Sequence, residues 1–275
     1  MEKDLQEKQN KAESAGASAP AAARRPAACG GRLPAIILAA CLIAGWEIAA
    51  RAVGDPHLFP GPAAILRRVW ELKGTLLTEH MPGTLATVAV GWGLAILLGA
   101  ALAVLMNRSA RAEAMLLPVM TVTQTVPMLC ISPLFVLWLG YTLQARVLAV
   151  VLSTFYAIAL NTYQGLRSAD PQKMELMRSL GASRGQIFRE LELPSALPLF
   201  FAGLRMTLPW AVIDAAVAEW LGATSGLGYF SKRMIAKLDG PGVFAPILIL
   251  CLLVLAGMGI LKLLDRKLVP YRGEL

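Results

Sequence analysis

The chain has 275 residues, of which 56% are hydrophobic and only 16% are charged. Soluble globular domains carry a larger share of charged residues, so this composition excludes an ordinary soluble protein and indicates a membrane protein. The net charge of +8 is expected of a membrane protein with basic inner loops, so it gives no reason to predict nucleic-acid binding.

Residues 1–32 are rich in Ala, Lys, Glu, Gln and Ser and contain no aromatic residue, which predicts a disordered tail. Arg24 and Arg25 precede an apolar stretch, a pattern that a signal peptide also shows. However, the stretch is long for a signal peptide, and the site that resembles a cleavage site contains Arg51. We therefore predict an uncleaved first span.

Six stretches of about 20 mostly apolar residues are long enough to cross a bilayer. They are Leu33–Ala50, Leu85–Met106, Met115–Leu139, Ala145–Leu166, Leu199–Leu221 and Val243–Leu264. Pro118, Pro127 and Pro133 interrupt the third, which is either one kinked helix or a helix followed by a shorter segment. The chain is thus predicted to be an all-α membrane protein.

The predicted domains are residues 1–32 (tail), 33–84 (first span and external connection), 85–267 (core) and 268–275 (tail). Within the external connection, residues 63–77 have helical apolar spacing and predict a helix along the surface. Lys and Arg are about twice as frequent on one side of the spans as on the other. This asymmetry predicts that both termini and the loop 167–198 are cytosolic.

We expect this chain to hold no metal, no cofactor and no catalytic residue. Its four cysteines form no CxxC pair, and His57 and His80 are its only histidines. The sequence has no G-x-x-x-x-G-K-[ST] loop, and the glycine-rich stretch 222–228 lacks the lysine. We therefore expect any ATP to be bound and hydrolysed by a separate partner.

The loop between the fourth and fifth spans carries two sets of helix start and stop signals. Asp170 can cap a helix that begins at Pro171, and Gly181 can end it in the left-handed conformation. The apolar stripe of this helix consists of Met174, Met177 and Leu180.

A second short helix is predicted directly after the first. Ser183 and Gln186 can form a capping box, and Pro194 is predicted to stop the helix. A capped amphipathic helix on such a loop should dock onto another surface, which is either a partner protein, the bilayer or its own bundle.

These residues resemble the EAA loop of ABC importer permeases, in which a glutamate and two small residues are followed by a glycine and then by Leu-Pro. Here Glu175 is followed by Gly181 and then by Leu193-Pro194, while Leu176 and Met177 replace the two alanines. We expect the groove of the ATPase to be matched to this pair. The resemblance implies that the loop couples to an ATPase through Glu175, Leu176, Met177, Arg178, Gly181 and Ala182.

Further motifs resemble the nitrate, sulfonate and taurine branch of these permeases. They are the stretch 127–140, Asn161-Thr162 with Gly165-Leu166, and Ala218-Glu219 with Gly226–Tyr229. The resemblance covers the chain from Pro82 onward.

The resemblance implies a type I permease bundle in the bacterial cytoplasmic membrane. Its partners would be a second permease copy, an ABC ATPase dimer, an extracytoplasmic solute-binding protein and membrane lipid. Two other classes stay open, a secondary transporter and a membrane scaffold. The first should show inverted repeats, and we find no internal repeat.

Polar residues inside the spans are candidates for lining a path, namely Gln124, Thr125, Trp210, Asp214 and Glu219. Charged groups are costly to insert into a bilayer, so each charged residue within a span requires a structural or functional explanation. Asp214 either faces the path or makes a hydrogen bond to a neighbouring helix. The polar run 121–125 either lines the path or holds helices together. Glu219 is expected near the outer gate.

The candidate lining also bears on the solute. The sequence places no Lys or Arg at mid-membrane, but it places the carboxylate of Asp214 there. This charge distribution favours a neutral or weakly basic solute over an anion. Stretches 123–127 and 218–222 also resemble branch members that carry pyrimidine precursors of thiamine. A sulfonate, taurine or nitrate is the alternative solute.

Overall fold

The computed structural model describes residues 33–269, which form helices joined by short turns. The helices are α1 Leu33–Val53, α2 Pro62–Gly74, α3 Met81–Arg108, α4 Ala110–Thr125, α5 Met128–Leu139, α6 Leu143–Arg167, α7 Pro171–Ser179, α8 Arg184–Ile187, α9 Leu193–Gly222, α10 Leu227–Ala236 and α11 Gly240–Leu268. Two π-helical segments, Thr75–His80 and Phe188–Glu192, connect α2 to α3 and α8 to α9. The predicted tail 1–32 lies outside the described residues.

The chain divides into two units between Trp46 and Glu47. The smaller unit contains the first part of α1, whose apolar side chains are exposed. The larger unit contains every other helix, and all the features below belong to it.

Among residues 33–269, five helices are long and apolar enough to cross a bilayer, and α4 with α5 would make a sixth span. The predicted all-α bundle of about six spans is therefore confirmed, although most helices extend a few residues beyond the predicted apolar runs. The predicted surface helix is α2, which continues through the π-helical segment into α3 rather than ending at a loop.

The third predicted span is a helix followed by a shorter segment, since α4 and α5 meet at 94°. Val126 is extended, with φ −86° and ψ 120°, because the ring of Pro127 disfavours helical geometry in the residue before it. Pro118 and Pro133 lie within helices and do not end them.

The prediction that Pro194 stops the second short helix is wrong. α8 passes through the π-helical segment directly into α9, the first turn of which contains Pro194. Proline removes a backbone N–H and its ring crowds the carbonyl four residues back. The π-helical segment directly before Leu193 changes the hydrogen-bond spacing there, and such local π adjustments let a membrane helix accommodate proline. α9 consequently begins at Leu193, six residues before the predicted start of the fifth span at Leu199.

The centre of the bundle is the contact between α3 and α6, which small residues on α3 bring close together. Gly91, Ala95, Gly99 and Ala103 recur once per turn and are all buried. A Cβ on Gly99 would lie 2.9 Å from the carbonyl oxygen of Phe155. Small residues at such a spacing let helix backbones approach each other in a membrane.

We predict that Gly99→Leu destabilises the bundle, because the added side chain would meet the backbone of α6. Overpacking of this kind costs about 1–3 kcal/mol. Gly93→Leu is the matched control, since no atom lies within 4 Å of a Cβ at Gly93 on the same helix. Thermal unfolding of the purified protein measures the difference, and equal midpoints for the two variants would contradict this packing.

Candidate functional site

A cavity of about 560 Å³ lies within the membrane-spanning region, where the break between α4 and α5 faces α6 and α9. Three of the predicted lining residues border it, namely Gln124, Trp210 and Asp214. Ser153 of α6 and Thr207 of α9 add hydroxyl groups to its wall. The break at Pro127 opens this space because it turns α5 away from the axis of α4.

Asp214 is the only charged residue among the described residues that border this cavity. It is 8% exposed, and no described Lys or Arg has a side-chain nitrogen within 4 Å of its carboxylate. Trp210 lies one helical turn earlier on the same face of α9 and is 56% exposed. A carboxylate beside an indole ring can accept hydrogen bonds from a flat, weakly basic molecule.

Two residues of the polar run in α4, Thr123 and Gln124, border the cavity. Gln124 donates its amide to the carbonyl oxygen of Leu152 at 3.4 Å. The hydroxyls of Thr121, Thr123 and Thr125 instead donate to carbonyl groups of their own helix, at 2.7 to 2.8 Å. These threonines therefore do not hold helices together through their hydroxyls, and Thr125 does not border the cavity.

Glu219 lies apart from the cavity, at the end of α9 that is farther from α8. It is fully buried, and its Oε2 accepts hydrogen bonds from the hydroxyl of Thr84 at 3.0 Å and from the backbone N–H of Gly228 at 2.9 Å. Arg146 Nη1 lies 3.9 Å from Oε1. The hydroxyl of Thr84 also accepts the backbone N–H of Leu227 at 2.8 Å.

The same carboxylate shapes the turn that precedes α10. Gly226 has φ +123°, and a Cβ there would overlap the Glu219 carboxylate. The backbone N–H of Gly226 donates to His80 Nδ1 at 3.2 Å. α3, α6, α9 and the start of α10 are thus joined at one buried polar cluster, which we call the Glu219 cluster (Glu219, Thr84, Arg146, His80 and Gly226–Gly228).

Sequence reasoning identified Glu219 but missed its partners. Arg146 falls inside the predicted span Ala145–Leu166. A charge within a span requires a partner, and that requirement was the available signal for pairing it with Glu219. No sequence pattern marks Thr84 or His80.

The loop between α6 and α9 carries the predicted caps. The side chain of Asp170 accepts from the N–H of Gln172 at 2.8 Å, and Gly181 has φ +80°. Ser183 and Gln186 form both hydrogen bonds of a capping box. These local predictions are confirmed, and the segment 170–192 is called the coupling segment below.

The coupling segment presents apolar side chains to solvent. Within α7, all of which is described, no residue is buried. Met174 and Met177 of the predicted stripe are half-buried, whereas Leu176 and Leu180 are 60% and 78% exposed. Exposed leucines one turn apart on a capped helix form a surface suited to burial against another protein.

Polar groups surround this apolar face. Glu175 is exposed, and Arg178 donates to the Met174 sulfur at 3.1 Å. Arg178 and Ala182 also line an open cavity of about 890 Å³ between the coupling segment and the end of α3, together with Arg108 and Arg184. These three arginines share the lining with one carboxylate, that of Glu192, so the cavity wall carries more positive than negative charge.

Comparisons with known proteins agree on one family. Residues 95–270 match the family model described as binding-protein-dependent transport system inner membrane component. The formylaminopyrimidine transport permease protein ThiX of Halalkalibacterium halodurans is 47% identical over 83% of this chain and 92% of that protein. The putative aliphatic sulfonates transport permease protein SsuC of Bacillus subtilis is 32% identical over 89% of each.

A solved structure of the MetNI methionine ABC transporter in inward-facing conformations contains a chain with a similar fold. The TM-score is 0.59 at 21% identity, and the likeness covers 68% of this chain and 93% of that one.

We predict that Glu219→Ala destabilises the protein by about 3–5 kcal/mol, because Arg146 would lose its counter-ion inside the bundle. Two donors, the Thr84 hydroxyl and the Gly228 N–H, would also lose their acceptor. Glu219→Gln keeps an acceptor oxygen and should cost less, about 1–3 kcal/mol. Thermal unfolding midpoints measure both changes.

Asp214→Ala is the matched control, because it removes a buried carboxylate of the same helix without breaking a described ion pair. The Glu219 cluster would be refuted as a structural element if Asp214→Ala and Glu219→Ala lowered the midpoint equally.

Proposed function

The chain belongs to the binding-protein-dependent transport system inner membrane component family, and we propose that it forms the path for an aminopyrimidine. As a member of this family, it is a multi-pass permease subunit of an ABC importer in the inner membrane, and its solute is small. The proposal concerns the identity of that solute, the path and the coupling to a partner ATPase.

The observation that carries the proposal is the lone carboxylate of the intramembrane cavity. An anion 4 Å from Asp214 would be repelled by about 4 kcal/mol at an effective dielectric constant of 20. No described cation borders the cavity to offset this repulsion. A sulfonate is therefore disfavoured relative to a neutral or weakly basic ring.

An aminopyrimidine suits the other groups of this wall. Its amino group, and a ring nitrogen when protonated, could donate to Asp214. An unprotonated ring nitrogen could accept from Gln124, and the ring face could lie against Trp210. The relative named for formylaminopyrimidine transport is also more similar to this chain than the relative named for sulfonates.

Coupling to the ATPase would occur at the end of α9 that is opposite the Glu219 cluster, where the coupling segment joins the helix. We propose that the coupling segment is cytosolic, in agreement with the distribution of Lys and Arg. Leu176 and Leu180 would be buried in a groove of an ABC ATPase, and full burial of one leucine contributes about 1.5–3 kcal/mol. Glu175, Met177 and Arg178 would complete the contact.

The complete importer would contain two permease copies, two ATPases and an external solute-binding protein. This chain would bind no cofactor or metal itself, and its partner would bind ATP. ATP binding would close the ATPase dimer and tilt the coupling segment, and hydrolysis would reset it.

Uptake of labelled formylaminopyrimidine tests the solute. In cells that lack their own system, expression of this permease with its ATPase and binding protein should restore uptake. Asp214→Asn should reduce uptake at least about fivefold, because a charge-assisted hydrogen bond contributes more than a neutral one. Restored taurine uptake without any pyrimidine uptake would rule out the proposed solute.

A separate test concerns coupling. Gly181→Val should abolish co-purification with the ATPase, because a β-branched residue strongly disfavours φ +80°. Gly181→Asn should retain it, because asparagine tolerates this conformation. The space around Gly181 is open, so steric overlap would not explain a difference. Normal assembly and transport by Gly181→Val would show that the turn is not needed for coupling.

A further inference from the structure

Leu238, in the turn between α10 and α11, combines a strained backbone with an exposed apolar side chain. Its φ is +55°, and it is the only non-glycine residue with positive φ among residues 33–269. Its side chain is 80% exposed. Left-handed backbone geometry is less favourable for leucine than for glycine. Because the side chain is exposed, its burial does not offset this cost within the described structure.

The surrounding residues hold this turn in place. The carbonyl oxygen of Met234 accepts the N–H of Lys237 at 3.1 Å and of Asp239 at 3.0 Å. The side chain of Asp239 accepts the N–H of Gly242 at 3.0 Å and receives two hydrogen bonds from the guanidinium of Arg68. A strained residue persists only where its neighbours over-determine its conformation, and such residues concentrate at functional surfaces.

A second exposed leucine lies on a loop that touches this turn. A Cβ on Gly240 would overlap the carbonyl oxygen of His57, so the two backbones are in direct contact. Leu58, directly after His57, is 79% exposed. The two loops therefore form one continuous surface with an apolar side chain on each, which we call the leucine turn (Leu58 and residues 237–240).

The leucine turn lies on the side of the bundle opposite the coupling segment. α9 runs from the coupling segment to the Glu219 cluster, and the leucine turn lies beyond that cluster, beside α2. If the coupling segment is cytosolic, as proposed above, the leucine turn faces the outside. Lys237 lies within the leucine turn, and Lys232 and Arg233 lie one to two turns earlier on α10. On the other loop the carboxylate of Asp55 accepts the N–H of His57 at 2.8 Å, so the border carries charges of both signs.

We propose that the leucine turn is the apolar anchor onto which the external solute-binding protein docks. The family description itself names a binding protein. A small apolar centre with a charged border is the usual composition of a protein contact that carries much of its binding energy in few residues. Lys237 calls for an acidic residue on the partner, and Asp55 calls for a basic one.

Protein is the occupant favoured over lipid for two reasons. The leucine turn adjoins the ion pair of Arg68 and Asp239, whereas hydrocarbon excludes such charged groups. A turn held in one strained shape also suits a partner of fixed shape, and fluid lipid chains do not need one.

The test uses the permease assembled with its ATPase in lipid nanodiscs, with the binding protein added at increasing concentration. Leu238→Asn and Leu238→Gly relieve the backbone strain, so the thermal midpoint should stay the same or rise. The binding-protein concentration that gives half-maximal stimulation of ATP hydrolysis should nevertheless increase about tenfold, as expected when an anchor residue is lost. An unchanged half-maximal concentration would overturn the proposal.

Leu180→Asn is the matched control, because Leu180 is equally exposed but lies on the coupling segment. It should lower ATP hydrolysis in the absence of binding protein and leave the half-maximal concentration unchanged. If the wild-type permease does not assemble with the ATPase at all, the proposed function fails. If it assembles and only the Leu238 variants behave like wild type, the docking proposal alone fails.

Leu238→Trp separates protein from lipid as the occupant. The fluorescence that the new tryptophan adds to that of the wild type should shift to shorter wavelength when binding protein is added. Before binding protein is added, brominated lipids should not quench this additional fluorescence. Quenching by brominated lipid without binding protein would assign the leucine turn to the membrane and overturn the proposal.

Discussion

The structure depends on the absence of water inside the bilayer, which obliges every backbone polar group there to find a partner within the protein. Long helices satisfy their own backbone groups, so the chain is built almost entirely from them. Pro127 is the place where this rule is relaxed, because the break between α4 and α5 leaves helical geometry within the membrane. Irregular backbone at that depth is tolerated where it lines a cavity, and the intramembrane cavity lies at this break.

The same constraint separates two carboxylates of α9 that look alike in sequence. Glu219 receives hydrogen bonds from two other segments and faces a guanidinium. Asp214, between one and two turns earlier, has no described cation within 4 Å and borders a cavity. Thus the Glu219 carboxylate joins helices, whereas that of Asp214 keeps capacity to bind something else. A buried carboxylate that faces no cation, and whose described partner is the Ser153 hydroxyl, is the stronger indication of a solute path.

Local signals in the sequence predicted local structure well. The caps at Asp170, Gly181 and Ser183 depend on residues within a few positions of each other, so their geometry follows from propensity and side-chain reach. Pro194 failed as a stop signal because a π-helical segment let α8 continue into α9. The Glu219 cluster could not be predicted, since Thr84 and Glu219 are 135 positions apart and only the packing of α3 against α9 brings them together.

α9 connects these features physically. Its 30 residues span about 45 Å at 1.5 Å per residue, and the coupling segment enters it without an intervening loop. Asp214 lies in the distal half of the helix, and Glu219 fastens the far end to α3, α6 and the start of α10. A displacement of the coupling segment would therefore reach the cavity through one continuous helix. The internal prolines Pro198 and Pro209 are the positions where that helix would bend, since each removes a backbone hydrogen bond. Pro209 lies directly before Trp210, so a bend there would change the wall of the cavity while the Glu219 cluster stayed in place.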